Sequence, residues 1–312
     1  MNPIRRTLLA AAAVLLAVPL LHAQVSESAI SNQFDKLRSL SVDQRSADTI
    51  KLAESIRALP AGPHKVRFAD DLAHLVTQGD QGIEALQAVA DALSQALAQS
   101  PVKAKKDQPP MQYLDLARLV RYENVTATLN DPLFAKASQV LADNDAEIAK
   151  ADFTLKDQHG KKYTLSELRG KIVLINFWAT SCMSCRQEMP NLDIIYTHYQ
   201  SQGLVILSIT SDNVFKVNNF ISSMGYHPPV LNDFGGKVAK QFHIATGYHP
   251  PPVQNIATGK GGKPVQIDED ESADGVPKTF VFNREGKLVA QAIDQCTQRQ
   301  FFALLAKTDL QP

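Results

Sequence analysis

The first half of the chain places its apolar residues on helical faces. Between residues 25 and 150 they recur every three or four positions, and Pro-containing stretches at 60–63 and 100–110 interrupt the pattern. This spacing predicts an all-α region of about six helices. The connections are short, which favours antiparallel helical hairpins. Because the intervals are uneven, a degenerate helical solenoid is the alternative.

The pattern changes after residue 150, where a second domain is predicted to begin. Two continuous apolar runs rich in β-branched residues, at 171–178 and 204–210, are typical of strands covered on both faces. Helical spacing follows each run, a hairpin is predicted before the first run and another after the second helix, and Thr297 is placed to cap a last helix. Together these elements predict a mixed α/β sheet over 151–312.

The first residues predict a targeting signal. Arg5 and Arg6 precede an uncharged apolar run over 7–21, which is short for a membrane span, and a small residue, Ala23, follows. We expect a cleaved signal peptide over 1–23 and a periplasmic or otherwise exported protein. An uncleaved N-terminal anchor is the alternative. Export would place the cysteines in an oxidising compartment.

Composition narrows the function classes. Lys and Arg number 32, as do Asp and Glu, so the formal net charge is zero and no general positive field attracts nucleic acid. A hydrophobic content of 44% argues against a disordered chain. Three cysteines are too few for a disulfide-stapled scaffold.

Two of the cysteines carry the chemistry that the sequence indicates. Cys182 and Cys185 lie where the first buried strand gives way to a helix, a spacing that closes a small disulfide ring. At the helix N-terminus the N–H groups stabilise a thiolate, so Cys182 is the expected attacking thiol and Cys185 the resolving one. The rival is half of a zinc site, which needs two further ligands, whereas only Cys296 remains. We therefore expect a redox pair, with no metal or other cofactor.

The sequence around this pair resembles the thioredoxin superfamily, and in particular its exported TlpA/ResA-like branch. The motifs are the strand end 176–179, the C-x-x-C pair, the 188–190 segment, and the stretch 275–287. The resemblance covers 151–312. It implies a thioredoxin-like sheet flanked by helices and thiol–disulfide exchange as the activity.

The resemblance also implies roles for single residues. The Val276–Pro277 bond is expected to be cis, and Trp178, Val276 and Pro277 are expected to contact the substrate. Glu188 occupies the place where the exported branch often has a Glu, and it is expected to assist proton transfer at Cys185; an ordinary exposed helix acid is the alternative. Asn176 replaces the buried acid of cytoplasmic thioredoxins and cannot accept a proton.

Several features depart from the family pattern. Ser184 replaces the Pro that most relatives carry before the second cysteine, which leaves the redox potential open. Lys278 replaces a common Thr and is expected either to place a cation near the thiols or to contact solvent. An insertion at 246–274, with the acidic run 268–271, is expected to shape partner access, or else to be a surface loop.

The remaining candidates are single residues. Cys296 is expected to be a buried structural thiol, the alternative being a thiol that pairs with a partner or with the active-site pair. Four histidines lack ligand spacing and are expected to be loop, surface or core residues: His64, His74, His227 and His249.

These observations predict an exported thiol–disulfide oxidoreductase, more reductase-like than oxidising. Its expected partners are protein thiols and disulfides of exported proteins, with apocytochrome c as one candidate, and a membrane or periplasmic redox partner. The chain has no C-x-x-C-H haem site of its own. The alternatives are a peroxiredoxin-like thiol peroxidase, or a redox-anchored module that binds partners through its helical half. That half could also dimerise.

Overall fold

A computed structural model describes residues 27–41, 44–104, 108–244 and 275–311. The signal peptide expected over 1–23 and the insertion expected over 246–274 lie outside the described residues. Among the described residues, no helix has the length and apolar character needed to cross a membrane.

The described residues before 150 form six helices, as the hydrophobic pattern predicts. Their bounds are α1 Glu27–Ser39, α2 Ser46–Arg57, α3 Pro63–Val76, α4 Ile83–Gln99, α5 Met111–Tyr122 and α6 Pro132–Ile148. Local sequence sets several ends. Pro63 and Pro132 stand in the first turns of α3 and α6, where a missing N–H costs nothing, and Asp131 caps α6 by accepting the Leu133 N–H at 2.7 Å.

From residue 150 onward, the part of the chain that the structure describes forms two sheets. A short hairpin pairs β1 (Thr154–Lys156) with β2 (Lys162–Thr164). The main sheet has the strand order β5-β4-β3-β6-β7. Its strands are β3 Ile172–Phe177, β4 Leu204–Thr210, β5 Val230–Asn232, β6 Lys278–Phe282 and β7 Leu288–Ala292.

The central strand β3 runs parallel to β4 and antiparallel to β6, and all six of its residues are buried. Helices α7 (Met183–Tyr199), α8 (Val214–Met224), α9 (Lys237–Gln241) and α10 (Gln298–Leu305) complete this part. Two apolar cores lie against the sheet, as expected for a sheet with helices on its faces. The predicted thioredoxin-like fold class is confirmed.

The hydrophobic pattern does not predict two short elements. β5 has three residues and α9 has five, and neither is long enough to show a period in the sequence. Their positions depend on tertiary pairing, since β5 forms by parallel register with the end of β4. By contrast, the longer last helix α10 begins at the predicted cap, where Thr297 and Gln300 form a capping box.

Two of the contacts between the helical part and the sheet part lie near the cysteine pair. The turn after α3 reaches the segment between β7 and α10, where the Gly79 N–H donates to the Gln295 carbonyl at 2.9 Å. The ends of α5 and α6 lie against β6 and β7: the Tyr122 ring covers Lys278, and Gln291 donates to Asp145 at 2.6 Å. Both contacts lie close to the residues that support the cysteine pair.

Candidate active site

The two cysteines of the C-x-x-C motif form a disulfide at the start of α7. Cys182 is the N-cap of the helix, and its Sγ accepts the Cys185 backbone N–H at 3.1 Å. The Ser184 hydroxyl lies 3.3 Å from the same sulfur. In the reduced form, this N–H and the positive end of the helix would stabilise a thiolate on Cys182.

The loop before β6 presents its backbone to this sulfur. The Val276–Pro277 bond is cis, and the Val276 carbonyl oxygen lies 3.6 Å from the Cys182 Sγ. The backbone at Val276 and Pro277, just before β6, therefore lies beside the disulfide. Trp178, which is expected to contact the substrate, is buried in this structure. Its ring packs on that of Phe220, with the ring centroids 5.6 Å apart.

Burial does not distinguish the two cysteines. Cys182 is 1% exposed and Cys185 is 0% exposed, so both sulfurs lie inside the protein. The side chain between them at the helix surface is Met183, which is 62% exposed. Cys182 therefore lies just beneath the protein surface, at the N-terminus of α7.

Glu188 lies fully buried one helical turn after Cys185. Its Oε1 accepts the Asn176 Nδ2–H at 2.8 Å, and its Oε2 accepts the Cys296 backbone N–H at 2.9 Å. Asn176 also donates to the Thr279 hydroxyl at 3.2 Å, which links β3 to β6. The alternative of an exposed helix acid is wrong, because both carboxylate oxygens are held inside the protein.

Burial sets the proton affinity of this carboxyl group. Removal from water raises the pKa of Glu188 to about 8; the N–H donors of Cys296 and Asn176 oppose this, and the Asp294 carboxylate adds to it. A carboxyl group that titrates near neutral pH can both take up and release a proton there. Its place one turn from Cys185 suits proton transfer at that thiol.

A second acid near the site, Asp294, is half-buried, and no motif marks it in the sequence. It lies after β7, where Thr77 donates its hydroxyl to Oδ2 at 3.0 Å and the Gln295 N–H donates to Oδ1 at 2.9 Å. Burial raises the pKa of Asp294 to about 6. Its partner Thr77 lies directly after α3, so the contact depends on the packing of the helical half against the sheet.

Cys296 is 2% exposed and is not joined to another cysteine. Burial raises the pKa of its thiol well above the ordinary value, and the nearby Glu188 carboxylate adds to the effect. A thiol that stays protonated is a poor nucleophile, which fits the expectation of a buried structural cysteine. Its backbone, rather than its sulfur, contacts the site.

Lys278 follows the cis-proline but points to the other face of β6. Its neighbour Thr279 faces Asn176, so the alternation of the strand directs Lys278 away from the cysteines. The side chain is fully buried, with Nζ 4.4 Å from the Tyr122 ring centroid and 5.6 Å from that of Phe280. The expected contact with solvent is wrong, and the cation lies against the helical half.

His74 lies at the surface as expected, but the expectation that it lacks partners at metal-ligand spacing is wrong. His74 has partners: its Nε2 lies 3.1 Å from Asp115 Oδ2, and Asp70 precedes it by one turn of α3. Arg118 donates to the other Asp115 oxygen at 2.7 Å. Asp70, His74 and Asp115 have the atoms to ligate a metal, but the cations of His74 and Arg118 already contact the Asp115 carboxylate.

Within this cluster, Asp115 is paired with two cations and opposes ionisation of Asp70. The Asp115 carboxylate raises the pKa of His74 to about 9, and burial, followed by Asp115, raises the pKa of Asp70 to about 8. Burial opposes ionisation of Asp115, but His74 and Arg118 outweigh it and lower the pKa of that carboxyl group. The arrangement is an ion network between α3 and α5.

The other histidines keep ordinary positions. His64 contacts Glu27 at 2.6 Å and His227 contacts Asp193 at 3.0 Å, both at the surface. His249 lies outside the described residues.

Comparison with known proteins identifies several relatives of this site. The AhpC/TSA family model matches residues 146–291. The thiol–disulfide oxidoreductase ResA of Bacillus cereus is 31% identical over 181 residues, which are 58% of this chain and 86% of that protein. ResA of Bacillus subtilis is 29% identical over 163 residues, which are 52% of this chain and 73% of that protein.

Solved structures with a similar fold match about half of the chain. The thiol:disulfide interchange protein of Chlorobium tepidum is 22% identical with a TM-score of 0.38, over 50% of this chain and 91% of that one. StoA of Bacillus subtilis is 20% identical with a TM-score of 0.37, over 49% of this chain and 96% of that one.

Proposed function

This chain belongs to the family of ResA thiol–disulfide oxidoreductases, and from that premise we propose that Cys182 and Cys185 are its redox pair and that it reduces disulfides of exported proteins. The observation that carries the proposal is the disulfide at the N-terminus of α7, beside the cis Val276–Pro277 bond. The division into a signal peptide over 1–23, a helical domain over 25–150 and a redox domain over 151–312 is part of the proposal.

Reduction proceeds in two exchange steps. The Cys182 thiolate attacks one sulfur of the substrate disulfide; a mixed disulfide forms and the other substrate sulfur leaves as a thiolate that takes up a proton. Cys185 then loses its proton to Glu188, and its thiolate attacks the Cys182 sulfur. The second substrate thiol leaves, two electrons have passed to the substrate, and the Cys182–Cys185 disulfide remains.

Supporting residues set the conditions for these steps. Asn176 cannot accept a proton, so it orients Glu188 by donating to Oε1. The backbone of Val276 stands 3.6 Å from the Cys182 sulfur and offers pairing groups to an extended substrate segment, next to Pro277. Trp178 supports the site from beneath by packing against Phe220.

The return to the dithiol form requires an electron donor. We propose a dithiol on a membrane or periplasmic redox partner, which reduces the Cys182–Cys185 disulfide by the same two steps in reverse. The reductase direction, the periplasmic location and cysteines of apocytochrome c as one substrate rest on the family resemblance. No haem, metal or other cofactor takes part in these steps.

A trapping experiment tests the proposal. In a Cys185→Ala variant, the mixed disulfide on Cys182 cannot be resolved, so exported proteins should accumulate on it and be released by reductant. A Cys296→Ala variant is the matched control and should trap nothing. The wild-type pair should also reduce insulin. If the single variant traps no protein and the wild type does not cycle, the assignment fails.

A thiol peroxidase is the second candidate, because the AhpC/TSA family model matches residues 146–291. In such an enzyme the Cys182 thiolate attacks a peroxide oxygen, becomes a sulfenic acid and releases water or an alcohol. Cys185 then condenses with the sulfenic acid to form the disulfide. Rapid peroxide consumption by the wild type, together with slow insulin reduction, would favour this candidate over the oxidoreductase.

A further inference from the structure

The helical half meets the redox half at the segment that bonds Glu188. Residues 294–296 lie between the end of β7 and the start of α10, so no sheet or helix fixes their backbone. The turn at 77–80, between α3 and α4, packs against them. We call residues 77–80 the docking turn and residues 294–296 the support segment.

Each residue of the support segment directs one polar group to a partner. The Asp294 carboxylate accepts the Thr77 hydroxyl at 3.0 Å. The Gln295 carbonyl accepts the Gly79 N–H at 2.9 Å. The next backbone N–H, that of Cys296, donates to Glu188 at 2.9 Å. The docking turn therefore holds the two residues immediately before the donor that Glu188 uses.

Flanking contacts fasten the docking turn to the start of α10. Arg299 donates to Asp80 at 2.7 Å, and the Gln300 side chain donates to the Gly79 carbonyl at 3.4 Å. Gly79 has a φ of 77°, a left-handed conformation that Gly adopts without strain and that aims its N–H at Gln295. The docking turn is thus bonded both to the support segment and to the start of α10.

We propose that the helical half is a positioning element of the redox site, in which the docking turn holds the support segment so that the Cys296 N–H faces the Glu188 carboxylate. Thr77 and Asp294 are then positioning residues, and neither touches the reacting sulfurs. The consequence for disulfide exchange rests on the proposed role of Glu188 in proton transfer.

The charged groups around Glu188 come from several elements and decide how the test is read. Asp294 acts on Glu188 directly, and Tyr226 contacts the Ser208 hydroxyl nearby in the same core. The groups that act on Asp294 or Cys296 are His74, Asp80, Glu123 and Lys278. Removing any negative charge from this set lowers the pKa of Glu188, whereas losing the Cys296 donor raises it.

This opposition of signs defines the experiment. In Thr77→Val/Asp80→Asn, one hydroxyl donor and one ion pair of the docking turn are removed. Their direct electrostatic effects both favour ionised Glu188, because Asp294 becomes easier to protonate and a negative charge is lost. If the turn positions the Cys296 donor, the Glu188 titration midpoint should instead rise by about one pH unit, the usual effect of one lost charge-assisted hydrogen bond.

The measurements are made on the full chain by NMR. The Glu188 carboxyl carbon, assigned by its absence in Glu188→Gln, gives the midpoint in the disulfide and dithiol forms. The Cys296 amide gives the donor directly, and its hydrogen exchange should become at least about tenfold faster in the double variant. Neither readout needs catalytic turnover, so a failure of the proposed oxidoreductase activity would not obscure the result.

Matched variants distinguish the loss of the Cys296 donor's position from a general loosening of the contact between the two halves. Glu147→Gln removes a contact of the same interface, with His243 at 3.1 Å, and should leave the midpoint unchanged. Thr77→Ser keeps the hydroxyl and should titrate as wild type. A midpoint that stays or falls in the double variant, or that rises equally in Glu147→Gln, overturns the proposal.

Discussion

At the scale of single residues, Glu188 shows how burial and hydrogen bonding divide the control of one proton. The carboxyl group lies among apolar side chains, and that burial raises its pKa to about 8. Two donors, on Asn176 and Cys296, keep the ionised form accessible. The side chain thus titrates in the pH range where thiols exchange, without contact with bulk water.

The pH dependence of stability tests this description of Glu188. The folded chain holds the Glu188 proton up to about pH 8, whereas the unfolded chain releases it near the ordinary value of 4.5. The folded state therefore binds more protons in that interval, and its contribution to stability falls as the pH rises. Glu188→Gln should abolish this fall. Between pH 4 and pH 9, the variant should therefore gain on the order of a few kcal/mol in the free energy of unfolding relative to the wild type.

Urea denaturation at several pH values measures the difference between the variant and the wild type. Glu84→Gln, at an exposed position of α4, is the control and should not change the pH profile. A wild-type profile that Glu188→Gln leaves intact would show that Glu188 does not hold a proton in the folded state.

At the scale of elements, the ion network between α3 and α5 replaces part of an apolar helix contact. Arg118 contacts Asp115 at 2.7 Å with both side chains at least nine-tenths buried, whereas the His74 side chain is 57% exposed. A buried ion pair is costly to form and costlier to break, since removing one partner leaves the other charged and desolvated. The network therefore specifies how α3 and α5 align.

Removal of the Arg118 charge should destabilise the helical part strongly. Arg118→Met keeps the length of the side chain but leaves Asp115 with His74 alone, and we expect a loss of about 3 kcal/mol in the free energy of unfolding. Lys36→Met, at the exposed pair with Asp48, should cost far less because solvent screens that pair. Equal losses in the two variants by urea denaturation would contradict a buried network.

At the scale of the whole molecule, the two halves share one set of supporting residues. The docking turn contacts the support segment of Glu188, and Tyr122 at the end of α5 covers Lys278 at the start of β6. The fully buried ammonium group of Lys278 gains from the face of that ring. The helical half is thus packed against the strand that follows the cis-proline.

Loss of the Tyr122 ring face should weaken the contact between the halves. Tyr122→Leu keeps apolar bulk but removes the ring, and the free energy of unfolding should fall by about 2 kcal/mol, with β6 amides exchanging faster. Tyr122→Phe keeps the ring and removes only the hydroxyl that donates to Asp145, so it should cost less. Tyr163→Leu, beside Lys161 at the surface, should cost about 0.5 kcal/mol. A similar cost for all three variants would contradict a buried cation–π contact.

The long elements were predictable from the sequence because their side chains repeat. Six helical stripes show a period over many residues, two strand runs are continuously apolar, and the predicted fold class is confirmed. The family resemblance is also confirmed, since it rests on motifs that are local in the chain, above all the C-x-x-C pair at 182–185. β5 and α9 are too short to carry such a period.

The longer elements, the family and the position of the C-x-x-C pair are predictable because each depends on residues that are close along the chain. The partners of Glu188, His74 and Lys278 depend on the folded chain, because they lie on other elements. In the fold, burial raises the pKa of Glu188, whereas the Asp115 carboxylate raises the pKa of His74. No local pattern records which distant backbone N–H, carboxylate or ring will face a side chain once the core has closed around it.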